Sequence, residues 1–286
     1  MLAVIGATGT TGAGVVTTLL AAGTPVRAIV RDAAAARTAL PPGAEIVTVD
    51  LRDRGSVDAA LQGVDRLYCG LGRSPTLVAD EQAVIAAAER AGVRQYVKCS
   101  GVTVAGGRSR IQEQHHALEE YLRGRVPYTI VAPSFFMQNF LGLAGAIAAG
   151  VLPVPTGAAR AGLIDAGDIV RSVVAVLGDD RHLGQRYQLT GPASLSHADA
   201  AAIFARVLGH PVVHADVTAA EFAAAAAGAG LPGWFAELLA DVYAVFFASG
   251  EADLVTDTVR TLTGTAPRSL EAWVRDHARA FAAPTG

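Results

Sequence analysis

The sequence predicts an α/β protein built on a doubly wound parallel sheet, followed by a smaller, mixed and mostly helical region. Two observations predict this fold. Through the first half of the chain, short runs rich in β-branched residues alternate with segments of helical period, which is typical of successive βαβ units. Hydrophobic residues make up 51% of the 286 residues and charged residues only 17%, which provides ample apolar surface for a core.

The individual elements follow from the same patterns. Six runs are predicted as strands: Leu2–Ile5, Val26–Val30, Glu45–Val49, Asp65–Cys69, Gln95–Cys99 and Tyr128–Ala132. Four segments are predicted as helices: Gly12–Ala22, Ser56–Leu61, Leu77–Ala91 and Ile111–Arg123. In this Rossmann arrangement ligands bind at the carboxyl ends of the strands, so the residues just after each strand are the candidates for a site.

From about Phe135 the pattern loosens into a stretch rich in Ala and Gly. We expect a dinucleotide-binding domain at residues 1–150 and a substrate-binding region at 151–286, which returns to the core through a strand at 186–190. Three pairs have the spacing of N-terminal capping boxes: Asp165 with Asp168, Ser196 with Asp199, and Thr218 with Glu221. These acids are therefore interpreted as helix caps rather than catalysts.

Charge and cysteine content exclude several classes of protein. The formal net charge is -3, with 23 basic and 26 acidic side chains and no basic run, so no nucleic-acid partner is expected. Two cysteines form no disulfide framework, and His210 and His214 are separated by Pro211, so no metal site is expected. No signal peptide or membrane span is predicted, so we expect a cytoplasmic protein without a membrane partner, for which a homodimer stays an open alternative.

A glycine-rich turn joins the first strand to the first helix. Its residues are Gly6, Ala7, Thr8, Gly9, Thr10, Thr11 and Gly12, in the spacing GxxGxxG. Glycine allows a tight turn and close backbone approach, and a helix N-terminus attracts a pyrophosphate. We therefore predict that this turn binds a dinucleotide, the alternative being a tight turn without a ligand.

The end of the second strand indicates which dinucleotide. An acid there would bind the ribose 2′-hydroxyl of NAD, whereas an arginine accommodates the 2′-phosphate of NADP. Arg31 therefore favours NADP(H) over NAD(H). Asp32 is the competing signal, because it would read the ribose if the strand ended one residue later, and a solvated Arg31 is a further alternative.

Three other strand ends complete the predicted cofactor site. Asp50 and Leu51 are expected to border the adenine, although Asp50 could equally cap the next turn. Leu71 and Gly72, and then Ser100 and Gly101, are expected beside the nicotinamide half, where ordinary turn chemistry is the alternative.

These features together resemble the short-chain dehydrogenase/reductase superfamily, and in detail its atypical NmrA-like branch of NADPH-dependent quinone reductases, isoflavone- and ergot-alkaloid-type reductases and cofactor-sensing regulators. The matching segments are Gly6 to Gly12 with Arg31, Ala91–Val93 leading into Tyr96–Ser100, Pro127–Pro133, Phe136–Phe140, Leu189–Pro192 and Leu208–Gly209 before Val212. The resemblance spans nearly the whole chain and implies the fold and the cofactor more specifically than the substrate.

The resemblance also implies site residues. The parent superfamily uses a Tyr-x-x-x-Lys pair, which is absent because Lys98 is the only lysine and Arg94 precedes it by four residues. His115, four residues before Glu119, takes the place of a branch lysine or histidine that polarises a carbonyl or holds the ribose. A surface histidine paired with Glu119 is the alternative.

Other residues follow by position. Ser100 matches the parent family's catalytic serine, a structural turn serine being the alternative. Pro133 and Phe135 are expected to bind cofactor, and Phe136, Asn139 and Phe140 to form an apolar wall for a planar or aromatic substrate, unless the phenylalanines are core residues.

The leading hypothesis is an NADPH-dependent reductase that transfers hydride directly to a quinone, an enone or a similar conjugated small molecule, with protonation from water or His115. Such acceptors need little acid assistance because charge delocalises as hydride arrives, which is compatible with the missing tyrosine. The alternatives are a non-catalytic NADP(H) sensor and an isomerase or lyase on the same fold.

Overall fold

The computed structural model describes residues 1–102 and 108–282. Its strands are β1 (Leu2–Ile5), β2 (Val26–Val30), β3 (Glu45–Thr48), β4 (Arg66–Cys69), β5 (Gln95–Cys99), β6 (Tyr128–Pro133), β7 (Val151–Pro153), β8 (Arg160–Ala161), β9 (Arg186–Leu189), β10 (Leu195–Ser196) and β11 (Val213–Ala215). Its α-helices are α1 (Gly12–Ala21), α2 (Ala33–Ala39), α3 (Arg54–Ala60), α4 (Leu77–Ala91), α5 (Arg110–Leu122), α6 (Ala144–Ala148), α7 (Ala166–Val176), α8 (His197–Leu208), α9 (Ala219–Gly228), α10 (Gly233–Asp241), α11 (Thr258–Thr263) and α12 (Leu270–His277). Short 3-10 helices span Met137–Leu143, Asp180–His182 and Ala278–Phe281, and a π-helix spans Val242–Phe246.

The main sheet has seven strands in the order β3-β2-β1-β4-β5-β6-β9. Neighbouring strands from β3 to β6 are parallel; for example, Ile5 of β1 lies opposite Ile29 of β2 and Cys69 of β4. The order reverses at β1, which lies between β2 and β4. In sheets of this kind a ligand crevice forms at such a reversal, outside the carboxyl ends of the strands. The predicted α/β fold is confirmed.

The strands form where the sequence places apolar runs. Ala3 and Val4 of β1 and Leu67 and Tyr68 of β4 are fully buried, as expected for strands covered on both faces. All six strands predicted in the first half are present, with ends shifted by at most one residue.

The prediction missed helix α2, which follows β2 directly. Its cause is Asp32, whose Oδ1 accepts hydrogen bonds from the backbone N–H groups of Ala34 (2.8 Å) and Ala35 (3.1 Å) as the N-cap of the helix. The three alanines after the first helical residue favour helix as well. The sequence signal was present, but Asp32 was considered only as an alternative to Arg31 for binding the ribose.

The chain divides into two compact units. The first unit comprises residues 1–101, 114–132 and 167–187, and the second comprises 102–113, 133–166 and 188–286. This division does not coincide with the single boundary expected at residue 150, because the chain passes between the units several times. The return to the sheet through the predicted strand at 186–190 is present as β9.

Aromatic packing organises the core of the second unit. Phe140 and Phe204 pack edge to face at 5.2 Å between ring centroids, and Phe204 packs in the same way on Phe281 at 4.9 Å. The capping boxes predicted at Ser196 and Thr218 are both present, at the first turns of α8 and α9. Within the described residues, no helix is both long enough and apolar enough to cross a bilayer.

Candidate cofactor site

The glycine-rich turn folds tightly between β1 and α1. Gly6 has a φ of +76°, and its carbonyl oxygen accepts a hydrogen bond from the N–H of Gly9 at 2.9 Å. Thr8, Gly9 and Thr10 form the exposed apex, whereas Ala7 and Thr11 on either side are buried. The turn therefore presents backbone, with few side-chain atoms, at the carboxyl end of β1.

Two of its glycines are required by close backbone contact. A Cβ on Gly6 would lie 2.3 Å from the carbonyl oxygen of Gly70 at the end of β4, and a Cβ on Gly12 would lie 2.2 Å from the carbonyl oxygen of Gly6. Both distances are far inside van der Waals contact, and the obstructing atoms are backbone atoms that cannot rotate away. The glycine turn is thus packed against Gly70 and Leu71. Of these two, Leu71 was predicted to lie beside the nicotinamide half of the cofactor.

The apex of the turn carries N–H groups that the protein itself does not use. In residues 1–102 and 108–282, no protein acceptor takes the backbone N–H of Thr10, Thr11 or Gly12. The first turn of α1 contains no acidic side chain that would neutralise the positive end of the helix. These three donors form an arrangement suited to a phosphate group.

The side chain of Thr11 has a different role from the one predicted. Its Oγ1 lies 2.7 Å from the hydroxyl of Tyr68, and both residues are buried. Burial raises the pKa of Tyr68 well above its usual value, so the phenol stays neutral and can share this hydrogen bond. Thr11 therefore ties the start of α1 to β4, and only its backbone N–H faces the turn.

The two candidate ribose-binding residues at the end of β2 have different roles in the structure. The Asp32 carboxylate is used as the cap of α2, whereas Arg31 is exposed. Among the described residues, no hydrogen bond or ion pair engages the Arg31 guanidinium. The geometry thus leaves an uncommitted cation, rather than an uncommitted carboxylate, at the end of β2.

The residues after β3 form a turn of their own. Asp50 accepts a hydrogen bond from the N–H of Arg52 at 2.9 Å through Oδ1, and its own N–H donates to the Ser56 hydroxyl at 3.2 Å. Asp50 therefore caps the turn that leads into α3, which was the alternative reading of this residue. Leu51 beside it is half-buried.

At the end of β5, Ser100 belongs to a buried polar network. Its hydroxyl donates to Oε1 of Glu119 at 2.6 Å, and Arg186 donates to Oε2 of the same carboxylate through Nε at 3.0 Å. The Arg186 guanidinium also donates to the carbonyl oxygen of Gly101 at 2.8 Å. The side chain of Glu119 is 4% exposed, and a carboxylate at this depth needs partners such as Ser100 and Arg186 to satisfy its oxygens.

This network changes the predicted role of His115. Glu119 is held by Ser100 and Arg186, so the alternative for His115, a surface histidine paired with Glu119, does not apply. The imidazole instead lies against Gly101, because a Cβ on that glycine would be 3.5 Å from His115 Cδ2. Within the described part of the chain, its buried Nδ1 has no hydrogen-bond partner.

The surroundings of His115 keep it uncharged. Burial is the largest cause that lowers its pKa well below the ordinary value, and the positive charges of Lys98, Arg73 and Arg186 lower it further. A neutral imidazole can donate or accept one hydrogen bond, but it is not an imidazolium acid. The expectation that His115 supplies a proton is therefore not supported by its environment.

The structure corrects two of the site residues that were predicted in the second unit, one for substrate and one for cofactor. Phe140 is fully buried and packs on Phe204, so it is a core residue rather than part of an open wall. Phe135 was predicted to bind cofactor, but its ring is 5% exposed and packs on Tyr243 and Phe247 at 5.3 and 5.1 Å. Core packing was the alternative that the sequence left open, and it applies to both.

The remaining predicted residues stay candidates. Phe136 and Asn139 are half-buried, and Pro133 is buried at the end of β6, where its carbonyl oxygen accepts from Val102 N–H at 3.1 Å. Leu71 is half-buried and Gly72 is exposed, as residues that border a ligand can be.

Sequence reasoning missed two functional groups. Arg186 lies at the start of β9, 67 residues after Glu119. No local sequence motif predicts that Arg186 binds the Glu119 carboxylate. Tyr68 was read only as part of a strand. Both act through contacts between elements far apart in sequence, which periodicity and spacing do not reveal.

The residues present fit a dinucleotide. The glycine turn is too tight for a Cβ at Gly6 or Gly12, the described residues do not use the three N–H groups of Thr10, Thr11 and Gly12, and an exposed arginine lies at the end of β2. A second group of predicted site residues lies at the end of β5, which is two strands away from β1 in the sheet. This group consists of Ser100, Gly101 and His115.

Comparison with known proteins is consistent with this reading. The model of the NmrA-like family matches residues 1–272. The chain is 36% identical over 290 residues to the NAD(P)H azoreductase of Xenophilus azovorans, a match that covers 99% of this chain and 100% of that protein.

Two solved structures are similar over nearly their whole length. The NADPH-dependent quinone oxidoreductase of Escherichia coli, complexed with NADPH, is 26% identical with a TM-score of 0.87, covering 98% of this chain and 100% of that one. The triphenylmethane reductase of Citrobacter sp., complexed with NADP(H), is also 26% identical, with a TM-score of 0.85 and coverage of 97% and 100%.

Proposed function

The chain belongs to the NmrA-like family, and from this premise we propose that it is an NADPH-dependent reductase that transfers hydride directly to a quinone, an azo compound or a similarly conjugated small molecule. The observation that carries the proposal is the tight glycine turn, whose N–H groups at Thr10, Thr11 and Gly12 have no acceptor among the described residues. The names of the azoreductase, the quinone oxidoreductase and the triphenylmethane reductase support the class of acceptor.

In this proposal each part of the site has one role in binding. The N–H groups of Thr10, Thr11 and Gly12 donate to the pyrophosphate, and Arg31 pairs with the 2′-phosphate. Leu71, Gly72, Ser100 and Gly101 border the nicotinamide half. The bound cofactor supplies the hydride.

Proton supply follows from the electrostatics of the residues around β5. Burial keeps His115 neutral, and the carboxylate of Glu119 is already paired with Arg186. Lys98, the one lysine of the sequence, forms a buried ion pair with Glu81 and therefore does not activate a tyrosine. We infer that water protonates the product, which conjugated acceptors tolerate because their developing charge is delocalised.

The test is oxidation of NADPH followed by its absorbance, with a naphthoquinone, an azo dye and an enone as separate acceptors. We expect turnover with at least the quinone or the azo dye. If NADPH binds but no acceptor is reduced, the reductase proposal fails and the cofactor-sensing alternative takes its place.

Replacing Arg31 with alanine is expected to weaken NADPH binding by about 10- to 100-fold, since a charge-assisted contact with a phosphate contributes roughly 1.5–3 kcal/mol. NADH lacks the 2′-phosphate, so its Kd should change less than about threefold. Titration calorimetry with both cofactors measures the two effects. Arg37→Ala, at another exposed arginine just beyond in α2, is the matched control and should leave both constants unchanged. An equal loss for NADPH and NADH in Arg31→Ala would contradict the choice of NADPH.

A further inference from the structure

Tyr68 is a fully buried tyrosine near the end of β4 whose hydroxyl contacts the glycine turn. The residue is 0% exposed, and its hydroxyl oxygen lies 2.7 Å from Oγ1 of Thr11. Its ring lies over Gly70, because a Cβ on that glycine would be 3.0 Å from Cε1 and 3.1 Å from the hydroxyl oxygen of Tyr68. The phenol therefore contacts both the end of its own strand and the residue that precedes α1.

The Tyr68 hydroxyl needs a hydrogen-bond partner at this depth. Buried polar groups are destabilising when they are unpaired, and the large majority in proteins have a partner. Burial also raises the pKa of Tyr68 well above its ordinary value, so the hydroxyl keeps its proton at physiological pH. The Thr11 hydroxyl satisfies this phenol, and the contact fixes the Thr11 side chain in one position.

Thr11 uses its hydroxyl in an unusual way for its place in the chain. It directly precedes α1, where a threonine side chain commonly accepts a hydrogen bond from an N–H group of the first helical turn. Among the described residues, Thr11 makes no such capping bond. Its hydroxyl is thus committed to the sheet, through Tyr68, and not to the N-terminus of the helix.

The anchored side chain lies next to the groups that would meet a phosphate. Within the described part of the chain, the backbone N–H of Thr11 and those of its neighbours Thr10 and Gly12 have no protein acceptor. The two peptide planes that flank the Thr11 Cα carry the N–H groups of Thr11 and Gly12, and planar peptides reorient only through φ and ψ. Holding the Thr11 side chain in place therefore restricts the direction of these donors.

The same phenol also supports the beginning of the turn. A Cβ on Gly6 would lie 2.3 Å from the carbonyl oxygen of Gly70, which is the residue that the Tyr68 ring covers. Gly6 opens the turn and Thr11 lies at its other end. The Tyr68 side chain is therefore in contact with Thr11 directly and lies behind the residue on which Gly6 packs.

We propose that Tyr68 is a positioning residue for the cofactor: through Thr11 it holds the N–H groups of the glycine turn in the orientation that receives a pyrophosphate. The inference rests on the proposed function for the identity of the ligand. Tyr68 itself does not touch the ligand, because it is fully buried.

The test compares wild type with Tyr68→Phe, which keeps the ring over Gly70 and removes only the hydroxyl. Titration calorimetry should show that NADPH binds about five- to tenfold more weakly, the equivalent of one hydrogen bond. The second probe is adenosine 2′-monophosphate, which carries the phosphate expected at Arg31 but has no pyrophosphate. Its Kd, measured by phosphorus NMR, should be the same in both proteins.

Tyr96→Phe is the matched control, because it makes the same change at a second fully buried tyrosine. Tyr68 lies opposite Val97 in the sheet, and Tyr96 precedes Val97 by one residue, so the two phenols point to opposite faces. The Tyr96 hydroxyl donates to Oε1 of Glu81 on α4 at 3.4 Å. Tyr96→Phe should therefore leave the Kd of NADPH unchanged, while urea unfolding reports how much stability each tyrosine variant loses.

A second variant tests the same contact from its other side. Thr11→Val removes the partner hydroxyl but keeps the shape of the side chain and the backbone N–H, so it should also weaken NADPH binding. The double variant with Tyr68→Phe should bind NADPH no more weakly than the weaker single variant, because both changes break one contact. Additive losses would show that Tyr68 does not act through Thr11 and would overturn the inference. Thr11→Val alone supplies the test if Tyr68→Phe does not fold.

The outcomes separate this inference from the proposed function. If wild type and Tyr68→Phe bind NADPH equally tightly, the inference is wrong and the proposed function stands. An equal loss of NADPH affinity in Tyr96→Phe, or an equal loss for adenosine 2′-monophosphate in Tyr68→Phe, would also overturn it, because the effect would not then pass through the turn. If Tyr68→Phe weakens NADPH binding as expected but wild type reduces no acceptor, the inference stands and the reductase fails. A wild type that binds no NADPH would contradict both.

Discussion

Replacing Lys98 with methionine is expected to lower the free energy of unfolding by about 3–5 kcal/mol, because it leaves an uncompensated carboxylate in the interior. Nζ of Lys98 on β5 lies 2.7 Å from Oε1 of Glu81 on α4, and the two side chains are 0% and 3% exposed. The neighbouring groups show how dry this region is, since burial raises the pKa of both Cys69 and Tyr96.

The double variant Lys98→Met with Glu81→Leu distinguishes loss of the pair from loss of shape. Two apolar residues of similar volume should recover most of the stability, because replacement of a whole buried pair is often neutral. Urea unfolding of wild type, both single variants and the double variant gives the coupling energy.

An exposed ion pair next to the same strand is the control. Arg94 pairs with Asp65, and the two side chains are 62% and 36% exposed, so Arg94→Met should shift the urea midpoint far less than Lys98→Met does. If Lys98→Met unfolds at the wild-type midpoint, or if the double variant is as unstable as the single ones, the ion pair is not what stabilises this region. Folded Lys98→Met should still bind NADPH, because Lys98 lies in the sheet core and not in the cofactor site.

The parts of the molecule that local sequence determines were predictable. A strand that is apolar on both faces, a glycine turn and a helix follow one another within the first 21 residues, and each is recognisable from its own residues. The spacing of Ser196 with Asp199 predicted a capping box for the same reason, since both partners lie within one helical turn.

What the sequence left open depends on contacts between distant segments. Glu119 has the spacing to pair with His115 on one helix face. In the structure its carboxylate binds Arg186 and Ser100 instead, and no sequence motif near Glu119 predicts either partner. Phe135 and Phe140 have the composition of a ligand wall and equally of a core, and tertiary packing decides between the two. The division into units was not predicted because each unit is formed by three separate segments of the chain. Most of the points where the chain crosses between the units have no Gly-, Pro- or Ser-rich linker that would mark a boundary.

The same distinction bears on two histidines. His115 and His197 are both partly unsatisfied, and the sequence drew attention only to the first, through a family resemblance. His197 carries no sequence signal of its own, and its aromatic neighbours come from segments up to 62 residues away in the chain, at Phe135. Unpaired buried polar atoms are a property of the packed structure, so neither imidazole's missing partner could be predicted from the sequence.

Replacing Gly12 with alanine is expected to weaken NADPH binding at least about 100-fold, as follows from the position of the added methyl group. That Cβ would lie 2.2 Å from the carbonyl oxygen and 2.9 Å from the carbonyl carbon of Gly6, so the turn must open to accept it. Opening displaces the N–H groups of Thr10, Thr11 and Gly12 together, and loss of two hydrogen bonds to a charged phosphate at roughly 1.5 kcal/mol each corresponds to this factor.

Stability should fall in the same variant, by about 1–3 kcal/mol, because the clash is with backbone. Gly145→Ala is the matched control: this exposed glycine lies in α6 with open space around its Cβ position, so alanine there should be neutral or slightly stabilising and should leave the Kd of NADPH unchanged. If the turn is only a structural turn without a ligand, Gly12→Ala should still be less stable than wild type, but wild type should bind no NADPH. Titration of wild type, Gly12→Ala and Gly145→Ala with NADPH, alongside urea unfolding of each, therefore decides whether the glycines serve the turn alone or the cofactor as well.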